Sequence, residues 1–351
     1  MNDEAARALN ICNVCRYCSD LCPVFEAAPL RPDLTEQDVA YLANLCHNCQ
    51  ACWYSCQYAP PHELGVNLPA ALSEARQASR QHYSGTPPWA REGLWVWGVT
   101  LMVPLLMLIG IPWDRLFAVH RGAGAFYQLI PWGWMSLVAS MALMRAVLVL
   151  AWGGGRFWRD SAGPSAVAPR AASRWELVRD LVGLRHLGGG DGAGCHDRDD
   201  RTGHVRRMAH QVLVAGFALC FVATSAGTLY HHGLGWLAPY PVLSVPGVSG
   251  TLGGLMILLG GVVMLWLHHS RDTRPRASVP DAHSRLLVQL LMVVAVTGLL
   301  LQGLRGTAAM GLLLGLHLGA VLAFFLVLPQ GKSAHGVYRL LALVRFYGER
   351  R

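Results

Sequence analysis

Charged residues are scarce in this chain of 351 residues, since Asp, Glu, Lys and Arg make up only 14% of it. Lysine occurs once, at Lys332, and the long apolar stretches contain no aspartate or glutamate. Ion-coupled transporters place acidic side chains along their membrane path, so that class is excluded. The glycine-rich stretch 188–194 follows an arginine-rich loop rather than a strand, so no dinucleotide-binding fold is predicted.

Hydrophobic residues, in contrast, make up 53% of the chain. Six apolar stretches are long enough to cross about 30 Å of hydrocarbon as helices. They exceed what the core of one soluble domain requires, and their glycines and alanines are typical of packed membrane helices. We therefore predict a multi-pass membrane protein with spans near 94–112, 128–151, 208–230, 248–267, 286–304 and 309–328.

Arginine sets the predicted orientation. The loop 153–207 carries ten arginines, the loop 268–285 carries four, and the C-terminal tail carries five basic residues. With six spans these segments share one side with the N-terminus, whereas the opposite loops hold only Arg115 and Arg121. The positive-inside rule then places both termini in the cytoplasm, at a bacterial inner membrane. The net charge of +8 reflects this topology and contact with membrane lipid, and no nucleic-acid partner is expected.

Eight of the ten cysteines form two runs with the same spacing, C-x2-C-x2-C-x3-C. This spacing is the iron–sulfur fingerprint of bacterial-type ferredoxins, in which the fourth cysteine of each run binds the other cluster. The spacing therefore predicts two [4Fe–4S] clusters. The first is held by Cys12, Cys15, Cys18 and Cys56, and the second by Cys46, Cys49, Cys52 and Cys22.

Two other uses of these cysteines are less compatible with the sequence. No signal peptide precedes them, so we expect a cytosolic segment in which thiols stay reduced rather than form disulfides. Zinc sites usually show paired C-x2-C knuckles, not four cysteines in one run. Between the runs, Thr35 and Asp38 predict a capping box for a helix that carries Val39, Leu42 and Leu45, so the ferredoxin domain is predicted to be helical.

Histidines in the apolar part point to haem. His317 and His335 are 18 residues apart, which is about five helical turns, so one continuous helix would place them on one face. An antiparallel third span would bring His210 to His335 on the cytoplasmic side and His231 or His232 to His317 on the outer side. Facing histidine pairs hold b-type haem, so we predict one or two haems. Small residues at Gly216, Gly227, Gly315 and Gly319 would leave room for the macrocycle.

Other interpretations of these residues stay open. The histidines could be interfacial, and Pro329 and Gly331 could break the last helix before His335. Arg145 either snorkels to the interface or binds a haem propionate. Arg305 and Lys332 are further propionate candidates, or simply cations at the ends of spans.

The chain resembles the tricarballylate-utilisation protein B (CitB/TcuB) family, which is related to the C-terminal half of CobZ, a fused flavoprotein of cobalamin synthesis. The resemblance is carried by the two cysteine runs together with segments that cover most of the remaining chain. These segments are His186 to Cys195, His210 to His232, Pro239-Tyr240, Gly253-Gly254, Arg305 to Met310, His317 to Gly319, and Gly331 to Arg339.

The resemblance implies a membrane-bound electron carrier with iron–sulfur clusters and haem b. Its implied partner is a cytoplasmic FAD-dependent dehydrogenase that oxidises tricarballylate to cis-aconitate, and its implied acceptor is the quinone pool. The same module could serve another flavoprotein, such as a cobalamin ring-contraction monooxygenase. An iron–sulfur redox sensor is a further alternative, although the chain carries no output domain. No catalytic residue is expected here, apart from whatever reduces quinone.

The predicted fold is all-α. It has an N-terminal α-helical ferredoxin domain at 1–80, fused to a six-helix transmembrane cytochrome b-like bundle at 81–351. The cytoplasmic loop 153–207 is predicted to dock the flavoprotein, and its proline-containing part at 160–173 could instead be a linker.

Overall fold

The computed structural model describes residues 3–87, 94–162, 171–189 and 192–349. Five helices precede the apolar part, namely α1 (Asp3–Cys15), α2 (Pro23–Ala27), α3 (Glu36–Leu45), α4 (Ala51–Tyr54) and α5 (Leu68–Tyr83). They are followed by α6 (Leu94–Ile109), α7 (Trp113–Leu116), α8 (Trp132–Asp160) and α9 (Ala171–Val182). The last five helices are α10 (Val205–Leu234), α11 (Val245–Ser270), α12 (Ser278–Leu304), α13 (Met310–Val327) and α14 (His335–Glu349).

The remaining regular structure is short. Single 3₁₀ turns occupy Ala28–Leu30, Ala125–Gln128, Arg185–Gly188 and Lys332–Ala334. Two antiparallel strands, β1 (Cys195–His196) and β2 (Thr202–Gly203), form one small hairpin. The predicted all-α fold is therefore confirmed.

The N-terminal module is built as the capping signal predicts. The Thr35 hydroxyl accepts from the Asp38 backbone N–H at 3.2 Å, and the Asp38 carboxylate accepts from the Thr35 N–H at 3.1 Å. This reciprocal bond fixes the start of α3, whose residues Val39, Leu42 and Leu45 are buried. They pack against Leu9 of α1 and Leu72 of α5 in one apolar core.

Among the described residues, five helices are long and apolar enough to cross a membrane, namely α8, α10, α11, α12 and α13. They correspond to the last five predicted spans, which identifies a multi-pass membrane protein. Many of their apolar side chains face outward, as lipid contact requires. The first predicted span differs, because α6 has only 16 residues and contains Pro104. At about 1.5 Å per residue, such a helix is shorter than the hydrocarbon layer.

Three of the four glycines predicted to make room for a macrocycle, Gly216, Gly315 and Gly319, serve helix packing instead. A Cβ atom at Gly216 would clash with the Gly253 backbone of α11. Cβ atoms at Gly315 and Gly319 would clash with α6, at Leu108 and Pro104. For these three glycines the prediction was wrong, because small residues at these positions let two helix backbones approach closely.

The last helix, α14, packs with the N-terminal module and with the end of α8 that carries Phe157. Tyr338 and Phe346 of α14 share the core of Tyr41 and Leu42. Further contacts join the module to the other arginine-rich segments. Arg206 donates to the Asn48 carbonyl at 2.9 Å, and the Tyr54 hydroxyl donates to Asp272 at 2.7 Å. The three basic segments therefore lie at the same end of the bundle as the cysteines.

Candidate metal centre

The structure groups the eight cysteines around two neighbouring cavities. Cys12, Cys15, Cys18 and Cys56 line the first, which has a volume of about 460 Å³ including its open mouth. Cys22, Cys46, Cys49 and Cys52 line the second, of about 500 Å³ on the same measure. Cys52 also borders the first cavity, so the two share a wall. These are the two sets predicted from the spacing, with the fourth cysteine of each run in the other cavity.

A left-handed residue at equivalent places in the two runs turns the chain around each cavity. Arg16, after the second cysteine of the first run, has φ +55°, and Gln50, at the same place in the second run, has φ +66°. Asn48 adds a third such turn with φ +57°. Non-glycine residues in this region cost energy and persist where the surroundings hold them. The repeat of this conformation points to two similar sites.

Burial and the proximity of the thiols to one another favour the protonated form of these cysteines when no metal is bound. Burial and neighbouring cysteines raise the pKa of Cys12 to about 12 and that of Cys18 to about 11. Burial raises the pKa of Cys22 and Cys52 well above the usual range. Such thiols stay protonated unless a metal replaces the proton. Within the described residues no three His, Cys, Asp or Glu side chains lie close enough together to hold a single metal ion.

A segment of the loop 153–207 closes the second cavity. His186 and Gly189 line it, and the His196 backbone N–H donates to the Cys49 carbonyl at 2.9 Å. Gly189 has φ +81°, and a Cβ atom there would clash with the Gly194 carbonyl. His186, Gly189 and His196 therefore lie against the cysteines of the second cavity. Docking of a flavoprotein by this loop stays a prediction.

The structure brings the inner histidine pair together. The ring centroids of His210 and His335 are 6.3 Å apart, and the rings are nearly perpendicular at 82°. One metal bonded to a nitrogen of each ring at about 2 Å would separate the centroids by roughly 6 Å. The Nδ1 atom of His335 donates to the Lys332 carbonyl at 2.6 Å, which leaves Nε2 free as a ligand. This geometry fits an iron held by both rings.

The chain path that brings His335 to His210 differs from the predicted one. α13 ends at Val327, and His335 begins the separate helix α14, so the argument from one continuous helix was wrong. Pro329 and Gly331 lie in the break. His335 reaches His210 because the short turn Lys332–Ala334 reorients the chain before α14 begins.

The outer histidines contact different neighbours. Nδ1 of His317 lies 3.2 Å from the Thr297 hydroxyl of α12. His231 stacks on Trp132, with centroids 4.6 Å apart, and His232 packs edge-on against the same ring. The described contacts of these rings do not join His317 to His231 or His232, and a second haem there stays a prediction.

The three predicted propionate candidates lie in different places. Arg145 donates to the Leu326 carbonyl at 3.1 Å from an exposed face of α8. Arg305 donates to the carbonyl of Tyr240. Lys332 adjoins the inner pair through its carbonyl.

Sequence reasoning missed the arginines that join the second cavity to the inner pair. Arg339 lies one turn after His335 and donates to the Cys46 carbonyl at 2.6 Å. Arg76 of α5 donates to the same carbonyl. The spacing of four residues between His335 and Arg339 was the available signal, because it places both on one face of a helix.

Comparison with known proteins identifies the family of this chain. The family described as citrate utilization protein B matches residues 90–351, and its Fer4-like domain matches residues 5–82. A curated Escherichia coli protein named citrate utilization protein B is 40% identical over 357 aligned positions, which cover 99% of this chain and 92% of that protein. The chain belongs to the citrate utilization protein B family. The predicted membership is therefore confirmed.

For this member of the citrate utilization protein B family, the Fer4-like match indicates iron–sulfur binding by the N-terminal module. Together with the five membrane-capable helices, it indicates a membrane-associated role in electron transfer. No solved structure matches the chain.

Proposed function

We propose that this protein is the membrane subunit that carries electrons from a cytoplasmic FAD-dependent dehydrogenase to the quinone pool of a bacterial inner membrane. Two [4Fe–4S] clusters and a haem b would be its cofactors. The resemblance and the family name both point to tricarboxylates, and we propose oxidation of tricarballylate to cis-aconitate as the partner's reaction. The arginine-rich end of the bundle, which carries the cysteine module, would face the cytoplasm.

The observation that carries this proposal is that three candidate cofactor sites, the two cysteine cavities and the inner histidine pair, adjoin one another in order. The first cavity borders the second through Cys52. The second is joined through the Cys46 carbonyl to Arg339, one turn from His335. His335 then faces His210 in α10. Residues able to hold three redox groups therefore form one unbroken path from the module into the bundle.

When bound, the clusters and the haem supply the one-electron redox chemistry. The chain contributes fixed spacing, burial and hydrogen bonds, which are the means by which proteins set potentials. The four cysteines of each cavity would hold one cluster, and His210 and His335 would hold the haem.

The exposure of the two cavities suggests the direction of electron flow. Beside the first cavity, Val14 is 87% exposed and Tyr17 is 73% exposed. The second cavity is covered by His186 and Gly189. A flavin could approach the first cavity more closely, so we propose that electrons enter there.

Optical and EPR spectra of the full chain purified in detergent test this function. We expect a b-type α-band in the reduced spectrum and signals of two reduced clusters. His210→Ala and His335→Ala should remove the same haem, because the two rings are adjacent. His317→Ala and His231→Ala tell whether a second haem exists.

A reduced wild-type spectrum without an α-band would refute the haem assignment. If His210→Ala and His335→Ala removed different haems, the inner pairing would be wrong. Reduction of a quinone analogue by the dithionite-reduced protein in vesicles tests the acceptor, and no reduction would contradict that part.

A further inference from the structure

Four basic side chains gather where α5 and α14 meet the turn before His335. They are Arg76, Arg80, Lys332 and Arg339, here called the cation cluster. Arg76 and Arg80 are each 4% exposed, and Lys332 and Arg339 are half-buried. Arginine and lysine are almost never buried unless they are paired.

Among the described residues no carboxylate forms an ion pair with any of these four side chains, and Asp281, whose charge acts on Lys332, is itself paired with Arg276. The ion pairs of the described residues place Asp and Glu on other arginines, such as Arg31, Arg206 and Arg276, and on none of the four. Burial, together with the neighbouring Arg76, lowers the pKa of Arg80 to about 9. Without an anion this arrangement would be strongly unfavourable.

The cluster has two sides, which differ in their contacts. Arg76 and Arg339 both donate to the Cys46 carbonyl, so they adjoin the second cavity. Arg80 donates to the Gly331 carbonyl at 3.4 Å, and its Nε atom is buried with no hydrogen-bond partner. The Lys332 carbonyl holds the Nδ1 atom of His335. Arg80 and Lys332 are therefore the members tied to the His335 side, and an unpaired buried donor lies among them.

We propose that Arg80 and Lys332, with Arg339 beside them, form an anion site for the propionate carboxylates of the haem held by His210 and His335. The inference rests on the proposed function, because it requires that haem. Charge-assisted bonds to two carboxylates would satisfy the buried guanidinium and the ammonium. The site differs from the candidates Arg145 and Arg305, whose guanidinium groups donate to backbone carbonyls elsewhere.

The test is an optical redox titration of the haem in the full-length protein, for wild type, Arg80→Gln, Lys332→Gln and Arg80→Lys. Lys332→Gln keeps the carbonyl that orients His335, so it changes charge without removing that bond. Arg156→Gln is the matched control, because Arg156 is a half-buried arginine at the same end of the bundle that contacts His82 rather than the turn before His335. Haem content and the cluster EPR signals are recorded for each variant.

Removal of a cation beside the propionates disfavours the added electron. We expect Arg80→Gln and Lys332→Gln to lower the reduced-to-oxidised ratio at a fixed potential about tenfold, which is about 59 mV for one electron. Arg80→Lys should restore most of this shift, and Arg156→Gln should leave the potential unchanged. Loss of haem in Arg80→Gln with intact clusters and rescue by Arg80→Lys would equally support the site.

Unchanged potential and haem content in both neutral variants would overturn the site while leaving the proposed function intact. Equal haem loss in Arg80→Gln and Arg80→Lys would also overturn it, because charge would then not be the cause. A change confined to binding of anionic lipid vesicles would assign the cluster to a lipid phosphate instead. Absence of haem from the wild type would refute the proposed function itself, and this site with it.

Discussion

Arg339 donates a hydrogen bond of 2.6 Å to the carbonyl oxygen of Cys46, from a helix that begins four residues earlier at His335. One side chain thus links the loop of the second cysteine cavity to the helix of a candidate haem ligand. The contact also fixes α14 against the N-terminal module, since Arg339 reaches the Asn44 carbonyl as well, at 3.4 Å.

Arg339→Gln should weaken this link. Loss of a charge-assisted hydrogen bond costs about 1.5–3 kcal/mol, so the unfolding temperature should fall. Reduction of the haem through the clusters should become slower, because His335 is held less firmly against the Cys46 loop. Thermal unfolding and stopped-flow haem absorbance measure the two effects.

Arg345→Gln is the control for that variant. Arg345 lies in the same helix but donates to the Trp158 carbonyl and stacks over the Trp158 ring at 4.0 Å. It should lose stability and keep the haem reduction rate. An equal slowing in both variants would show that Arg339 acts only through stability.

Cysteine replacements test whether the fourth cysteine of each run binds the cluster of the other run. Cys22 is the last cysteine of the first run but lines the cavity of the second, with Cys46 and Cys49. Cys22→Ser and Cys49→Ser should therefore perturb the same EPR signal, and Cys18→Ser should perturb the other. If Cys22→Ser and Cys18→Ser perturbed one common signal, the exchange would be wrong.

A glycine pair tests the packing of α6 on α13. A Cβ atom at Gly319 would clash with the Pro104 backbone, whereas one at Gly303 would meet nothing within 4 Å. Overpacking of this kind costs about 1–3 kcal/mol. Gly319→Ala should therefore lower the unfolding temperature in detergent, and Gly303→Ala should not. Equal unfolding temperatures for the two variants would contradict this packing.

The features that sequence predicted correctly depend on short spacing. The capping box of Thr35 and Asp38 is local, and so is the spacing of the cysteines within each run. Such features can be predicted from the positions of a few nearby residues. The apolar stretches follow from composition in the same way. The division of the cysteines between two cavities could also be predicted, because in bacterial-type ferredoxins the fourth cysteine of each run binds the other cluster.

The features that sequence did not predict depend on which elements meet. The helical period places His317 on one face of its helix, but it does not tell that this face meets Thr297 of α12. It also cannot show that Gly319 faces α6. The pairing of His210 with His335 was predicted through a continuous helix that the chain does not form, and it arises from the turn at Lys332–Ala334 instead.

Two aromatic residues of nearly equal exposure distinguish the two possible docking surfaces for the proposed flavoprotein partner. Tyr17, beside the first cavity, is 73% exposed, and Trp175, in the loop 153–207, is 72% exposed. If electrons enter at the first cavity, Tyr17→Glu should weaken binding of the reduced FAD-dependent dehydrogenase and slow cluster reduction. A buried unpaired carboxylate at an interface typically costs enough to lower affinity about tenfold or more.

Trp175→Glu should then leave both binding and cluster reduction unchanged, as measured by surface-immobilised binding and by flavin-to-cluster transfer in stopped flow. Dithionite reduction of each variant serves as the control that the clusters are intact. The opposite result, with binding lost only in Trp175→Glu, would assign docking to the loop 153–207 and remove the argument that electrons enter at the first cavity.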